Sequence, residues 1–225
     1  MSWWEELSTN RVVQQMLPEA VVETLLMVGV SGALTLVLGL PLGVLLHATS
    51  TGGITPSRSF NAVVGLVANV VRSLPFLILM IALLPFTRFV VGTTLQWEAA
   101  VVPLTVGAVP FYARLVETAF RDVPSGKVEA AQVMGATRSS VTYHVLLREA
   151  LPALVSSFTI TLIALLGYSA MAGVIGAGGL GALAISYGYQ RFDTTVMAAC
   201  VVVLAVIVVA LQAVGDRLAR LVDHR

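Results

Sequence analysis

Read for hydrophobicity alone, the chain is a series of long apolar runs separated by short polar ones. Crossing a bilayer takes about 20 residues at 1.5 Å rise per residue. Five runs meet that length, near 20–46, 60–87, 99–120, 151–175 and 194–215. Residues 150–190 carry no charge at all, which is too long for one span. That stretch predicts a helix, then a glycine-rich break and a short dipping or interfacial piece. Such a break is tolerated at membrane depth only where protein or a cavity covers the freed backbone groups. Pro41, Pro75, Pro85, Pro103 and Pro110 lie within or beside the runs and predict kinks. The pattern therefore predicts an all-α, polytopic membrane protein, with residues 1–225 forming a single transmembrane domain.

Composition agrees: 57% of the 225 residues are hydrophobic and 11% charged, with a mean hydropathy of +0.92. A net charge of +1 carries no nucleic-acid signature, so what informs is where the basic residues fall. Arg58, Arg121, Lys127, Arg138, Arg148, Arg217, Arg220 and Arg225 group on one side of a five-span topology, and Arg11, Arg88 and Arg191 on the other. The positive-inside rule makes the first side cytoplasmic, with the N-terminus out and the C-terminus in. The longest inside loop is then 121–150. The first eighteen residues lack a basic start and read as retained. Trp3, Trp4, Leu7 and Met16 suit either an interfacial segment or a frayed terminus. The single cysteine, Cys200, excludes an intrachain disulfide, and no Cys/His cluster has metal-ligand spacing.

The inside loop carries VEAAQVMGATRSS, Val128 to Ser140. Pro124 and Ser125 offer a helix start, with a fixed φ and a capping oxygen, and Gly135 a stop. Ala130 and Ala131 leave a surface flat enough for close approach by another protein, while Val133 and Met134 supply apolar anchors. Thr137 can cap a second helix running toward Pro152. From these residues alone, packing on the chain's own bundle and docking on a partner are equally open.

In this loop the sequence resembles the permeases of ATP-binding-cassette importers, whose pattern is Glu-Ala-Ala, three residues, Gly, nine residues, Ile, one residue, Leu-Pro. Here stand Glu129, Ala130, Ala131, Gly135, Val145 in the Ile place and Leu147, with Arg148 where the pattern has proline. Arg72 to Phe76, Ala172-Gly173, Gly178 to Gly181, Tyr187 to Tyr189 and Ala213 to Arg217 look like the methionine-uptake subgroup, and the likeness covers residues 18–222. Osmoprotectant permeases share the Gly-Gly-Leu-Gly region. The resemblance implies a type I importer permease of the bacterial cytoplasmic (inner) membrane, taking up methionine or another small solute such as glycine betaine. It implies a homodimer, two cytoplasmic ATPase subunits that bind the ATP, an extracytoplasmic binding protein, and no cofactor on this chain. Glu129 would be the polar contact to the ATPase, Ala130 and Ala131 the close-packing face with Val133 and Met134, and Gly135 the turn. The resemblance implies that the outer gate falls at Tyr168, Ser169 and Met171. For Met171 and Tyr168, plugging the path and ordinary packing stand level.

Three other patterns point elsewhere. Gly176 to Gly181 fits G-x-G-x-x-G but follows a membrane span instead of a strand, which argues against a dinucleotide site. No G-x-x-x-x-G-K-[ST] occurs, so ATP hydrolysis requires another chain. Gly167-Tyr168-Ser169 hints at a serine nucleophile, yet His47, His144 and His224 fall at span ends, loop or tail, away from it. Arg72 within a span either snorkels to the interface or faces a cavity, with snorkelling favoured. Arg114 and Glu117, three apart, suit a local ion pair.

Overall fold

A computed structural model describes residues 10–223. Trp3, Trp4 and Leu7 lie outside that range, as do His224 and Arg225. The described chain is helical: α1 (Arg11–Thr49), α2 (Arg58–Ser73), α3 (Phe76–Ala82), α4 (Leu84–Val91), α5 (Gln96–Arg121), α6 (Ser125–Val133), α7 (Arg138–Ser140), α8 (Leu147–Ala172), α9 (Gly179–Leu183) and α10 (Thr194–Val222). Wider π-turns at Val141–Leu146 and Ala184–Tyr189 extend α7 into α8 and α9 toward α10.

Among the described residues, four helical stretches are long and apolar enough to cross a membrane: Arg11–Thr49, Gln96–Arg121, Arg138–Ile175 and Thr194–Val222. The run expected as one span near 60–87 is not a single rod. Helix α2 ends at Ser73, and α3 departs at 106°. Pro75 is the cause, because its ring disfavours helical backbone at the preceding residue, and Leu74 is accordingly extended at φ −77° and ψ 134°. Counting this bent pair as one span brings the total to at most five. The fourth run also begins earlier than 151, since the helix continues back through the π-turn to Arg138.

Helix α1 is the spine of the bundle. It lies along α5, and contacts α8 and α9 as well. Asn10 starts it by accepting from Val12 N and Val13 N. Gly39 and Gly43 face α5: a Cβ at Gly39 would lie 3.0 Å from the Tyr112 ring, and one at Gly43 2.7 Å from the Ala113 carbonyl. Two small residues one turn apart thus let two backbones approach without a ridge between them, the usual source of helix affinity where lipid removes the hydrophobic drive. Gly215 of α10 does the same against Thr159 of α8. Buried Met27, Phe76, Met80, Leu104, Leu165 and Ala177 form one core, and Tyr112, Val116, Phe120, Leu146 and Leu154 another toward the loop end. Val201, Val206, Val209 and Leu221 of α10 remain exposed, a surface suited to acyl chains or to another protein.

Candidate functional site

The loop between α5 and α8 is built around α6. Pro124 precedes its first turn, but Ser125 provides no capping bond, so the expected capping oxygen is not used. The stop is as expected. Gly135 adopts φ +82°, and its N–H donates to the Gln132 carbonyl while that of Ala136 donates to Ala131, both at 3.0 Å. This pair of bonds closes the helix in a Schellman motif, which needs a left-handed residue where glycine stands. Thr137 then caps the next helix, accepting from Ser140 N at 3.2 Å.

One side of α6 is anchored and the other is free. Val128 packs on the loop-end core, Ala131 is buried, and Lys127 Nζ pairs with Glu149 at 2.5 Å. Val133 and Met134 are 89% and 81% exposed, beside exposed Glu129 and Ala130. Ala131 therefore departs from its expected role: it seats α6 on its own bundle, because it sits one residue round the helix from the open face. A cavity of about 460 Å³ opens next to α6, between His47, Gly53, Arg121, Glu129 and Gln132.

Next to this loop, α5 carries an ion triad centred on buried Glu117. Glu117 accepts from Arg114 Nη1 at 2.6 Å and from Arg121 Nη2 at 2.9 Å. The local Arg114–Glu117 pair was legible in the spacing. Its reach was not: Arg114 Nη2 also donates to the Gly65 carbonyl at 3.1 Å and to Asn69 Oδ1 at 3.2 Å, gripping α2.

Farther along the bundle, Tyr168 stacks on Phe76 with ring centres 4.4 Å apart and planes 12° apart. Both line a cavity of about 200 Å³ together with Arg72, Gly107 and Phe111. Arg72 places its guanidinium 5.9 Å from the Phe111 ring centre. Arg72 thus lines this cavity from the last turn of α2, as an exposed residue. Met171 is 47% exposed. Ser169 is buried and donates to the Leu166 carbonyl at 2.8 Å. It faces its own helix and lines no part of this cavity. Among the described residues no histidine serves it as a base: His47 packs edge-on against Phe120 and His144 lies 3.4 Å from Ser140.

Sequence reasoning passed over Glu23 and Thr24 of α1, which accept from the backbone of Gly179 and Leu180. The available signal was the carboxylate itself, since Glu23 stands inside a run otherwise free of charge.

The arrangement is that of a helical bundle with a displayed loop helix at one end and a broken, cavity-lined region deeper in. The family described as "Binding-protein-dependent transport system inner membrane component" matches residues 39–225. The chain belongs to this family. The matched range takes in α6, the Arg72–Tyr168 cavity and the glycine break, and begins after Glu23 and Thr24. Among relatives of this inner membrane component, the "Probable D-methionine transport system permease protein MetI" of Vibrio cholerae is 53% identical over 203 residues, covering 90% of each chain. The "Methionine import system permease protein MetP" of Bacillus subtilis is 47% identical, covering 80% of this chain and 82% of its own. A solved structure described as "Inward facing conformations of the MetNI methionine ABC transporter" superposes with a TM-score of 0.94 at 47% identity, over 96% of this chain and 100% of the matched one. The chain is thus a transport component of the inner membrane.

Proposed function

We propose that this chain is the permease subunit of an ATP-driven methionine importer. Two copies form the path, a separate ATPase docks on α6 of each, and an extracytoplasmic binding protein delivers the solute. The N-terminus lies outside and the C-terminus inside, as the distribution of basic residues supports. The observation that carries the reading is α6. An exposed helix presenting Glu129, Ala130, Val133 and Met134, held by its opposite side, is what a groove on a partner requires. The methionine named for the relatives at 53% and 47% identity supports the substrate.

The route from α6 to the path runs through packed groups. Closure of two ATPases moves α6, and with it the end of α5 to which three residues join it. Arg114 carries that displacement to Gly65 and Asn69 of α2. Helix α2 ends at the Pro75 bend, and the next residue, Phe76, stacks on Tyr168. Tyr168 and Met171 close the outer side of the path, and rearrangement at the bend parts Phe76 from Tyr168. The direction of transport follows from the different affinities of ATP and substrate-loaded binding protein for the two states.

Uptake of radiolabelled methionine into vesicles holding this chain with its ATPase and binding protein tests the reading, with and without internal ATP. ATP-dependent uptake that disappears in Glu129→Arg is expected. Absence of methionine uptake while loaded binding protein still stimulates ATP hydrolysis would transfer the same machinery to another small solute.

A further inference from the structure

The segment joining α8 to α10 breaks the regular backbone of the bundle, and side chains of α1 tie its loose ends. Gly178 and Gly179 have φ of 77° and 74°, and α9 begins at Gly179. The N–H groups of Gly179 and Leu180 therefore have no carbonyl of their own helix to meet. In an apolar bundle such groups need another acceptor. Glu23 Oε2 accepts from Gly179 N at 2.6 Å, and Thr24 Oγ1 from Leu180 N at 2.9 Å. The Thr24 hydroxyl proton is itself directed to the Ala20 carbonyl at 2.9 Å, which leaves a lone pair for Leu180.

The glycines belong to the same joint. A Cβ on Gly178 would run into the Glu23 carboxylate, and one on Gly179 would lie 2.7 Å from both Thr24 Oγ1 and Met27 Cε. On its other side α9 rests directly on the last turn of α8. A Cβ on Gly181 would strike the Ala170 backbone, and one on Gly173 the Ala182 nitrogen. So α9 is bound to α1 by two side chains and to the end of α8 by backbone contact. Gln96 N donates to the Gly176 carbonyl at 3.1 Å and Asn10 Nδ2 to Asp193 Oδ2 at 3.0 Å, pinning the segment before and after α9.

We propose that Glu23 and Thr24 are positioning residues for the outer gate: they latch α9 onto α1 and so hold the end of α8, with Tyr168 and Met171, closed. The inference rests on the reading of those two residues as the gate. A carboxylate suits the latch because a charged acceptor makes a bond about twice as strong as a neutral one. The glutamine variant keeps an acceptor oxygen at the same reach.

The test places one cysteine at Ala177, which is buried, in a Cys200→Ala background with cysteine-free ATPase and binding protein in vesicles. A membrane-impermeant maleimide then reports release of the segment, and ATP-independent efflux of preloaded methionine reports the gate. Glu23→Ala should label roughly tenfold faster, the shift expected from losing one charge-assisted bond, and should leak. Thr24→Val should do so to a smaller degree, and Glu23→Gln, which keeps a neutral acceptor, should fall between Glu23→Ala and the parent. Equal labelling and equal leak across assembled complexes would overturn the latch. Faster labelling without leak would overturn its link to the gate. If Glu23→Ala fails to assemble, Thr24→Val, which preserves shape, decides. Should the parent complex itself not transport methionine, the functional reading fails, while the order of labelling still decides whether Glu23 and Thr24 hold the segment.

Discussion

Removing the carboxylate of Glu117 should cost more than any other single truncation of a polar side chain near the loop end. Its side chain is 6% exposed, that of Arg114 23% and that of Arg121 66%. The bond to the solvated Arg121 contributes at most about 1 kcal/mol. Deleting one partner of a largely buried pair costs about 3–5 kcal/mol, because the remaining charge keeps its desolvation without its counter-ion. Arg114 would retain Gly65 and Asn69, but its Nε is already buried without a hydrogen-bond partner. The lower end, about 3 kcal/mol, is therefore expected for Glu117→Ala. For a chain of this size that corresponds to a melting temperature lower by about 6–12 °C. Thermal unfolding of the purified complex in detergent measures it, and a double-mutant cycle with Arg114→Met isolates the pair, with a coupling of about 1.5 kcal/mol or more. A melting temperature within about 2 °C of the parent would refute the argument, since it would mean that water reaches the triad and screens it. Uptake should fall as well, in proportion to the loosened grip on α2.

Gly135→Pro should leave the spans folded, since the turn is exposed, yet remove the Gly135 N–H bond to Gln132 and force φ away from +82°. ATP hydrolysis should then continue without uptake, and normal uptake in reconstituted vesicles would count against α6 as a lever. Two aspartates separate the faces of α6. Ala131→Asp should destabilise the chain by about 2 kcal/mol or more, read by thermal unfolding, because it buries a charge. Val133→Asp should leave stability within about 0.5 kcal/mol but abolish co-purification of the ATPase. Met171→Ala should raise basal ATP hydrolysis or methionine leak, and unchanged values for both would return Met171 to plain packing.

Much of this protein was legible one residue at a time. Membrane class follows from the apolar runs, because a bilayer core of fixed thickness imposes a minimum length on any helix that crosses it. The α6 stop follows from Gly135, since only a residue free to take positive φ closes a Schellman turn without strain. The glycine break after α8 and the Arg114–Glu117 pair were likewise local, set by residues within a few positions of one another. What the tertiary structure alone decided concerns contacts between residues far apart in the chain. The expected single rod at 60–87 became a bend of 106°, for which Pro75 removes helical backbone but packing sets the angle. Ala130 and Ala131 are chemically identical neighbours, and only the seating of α6 on the loop-end core makes one exposed and the other buried. Glu23 reads as an anomaly in sequence and becomes intelligible 156 residues later, where Gly179 supplies the donor. Hydrophobic length and backbone freedom are properties of a segment and can be read from it. A buried charge and an unpaired N–H are debts settled by whichever distant group the fold brings within hydrogen-bond reach, and a linear reading has no means of naming that group.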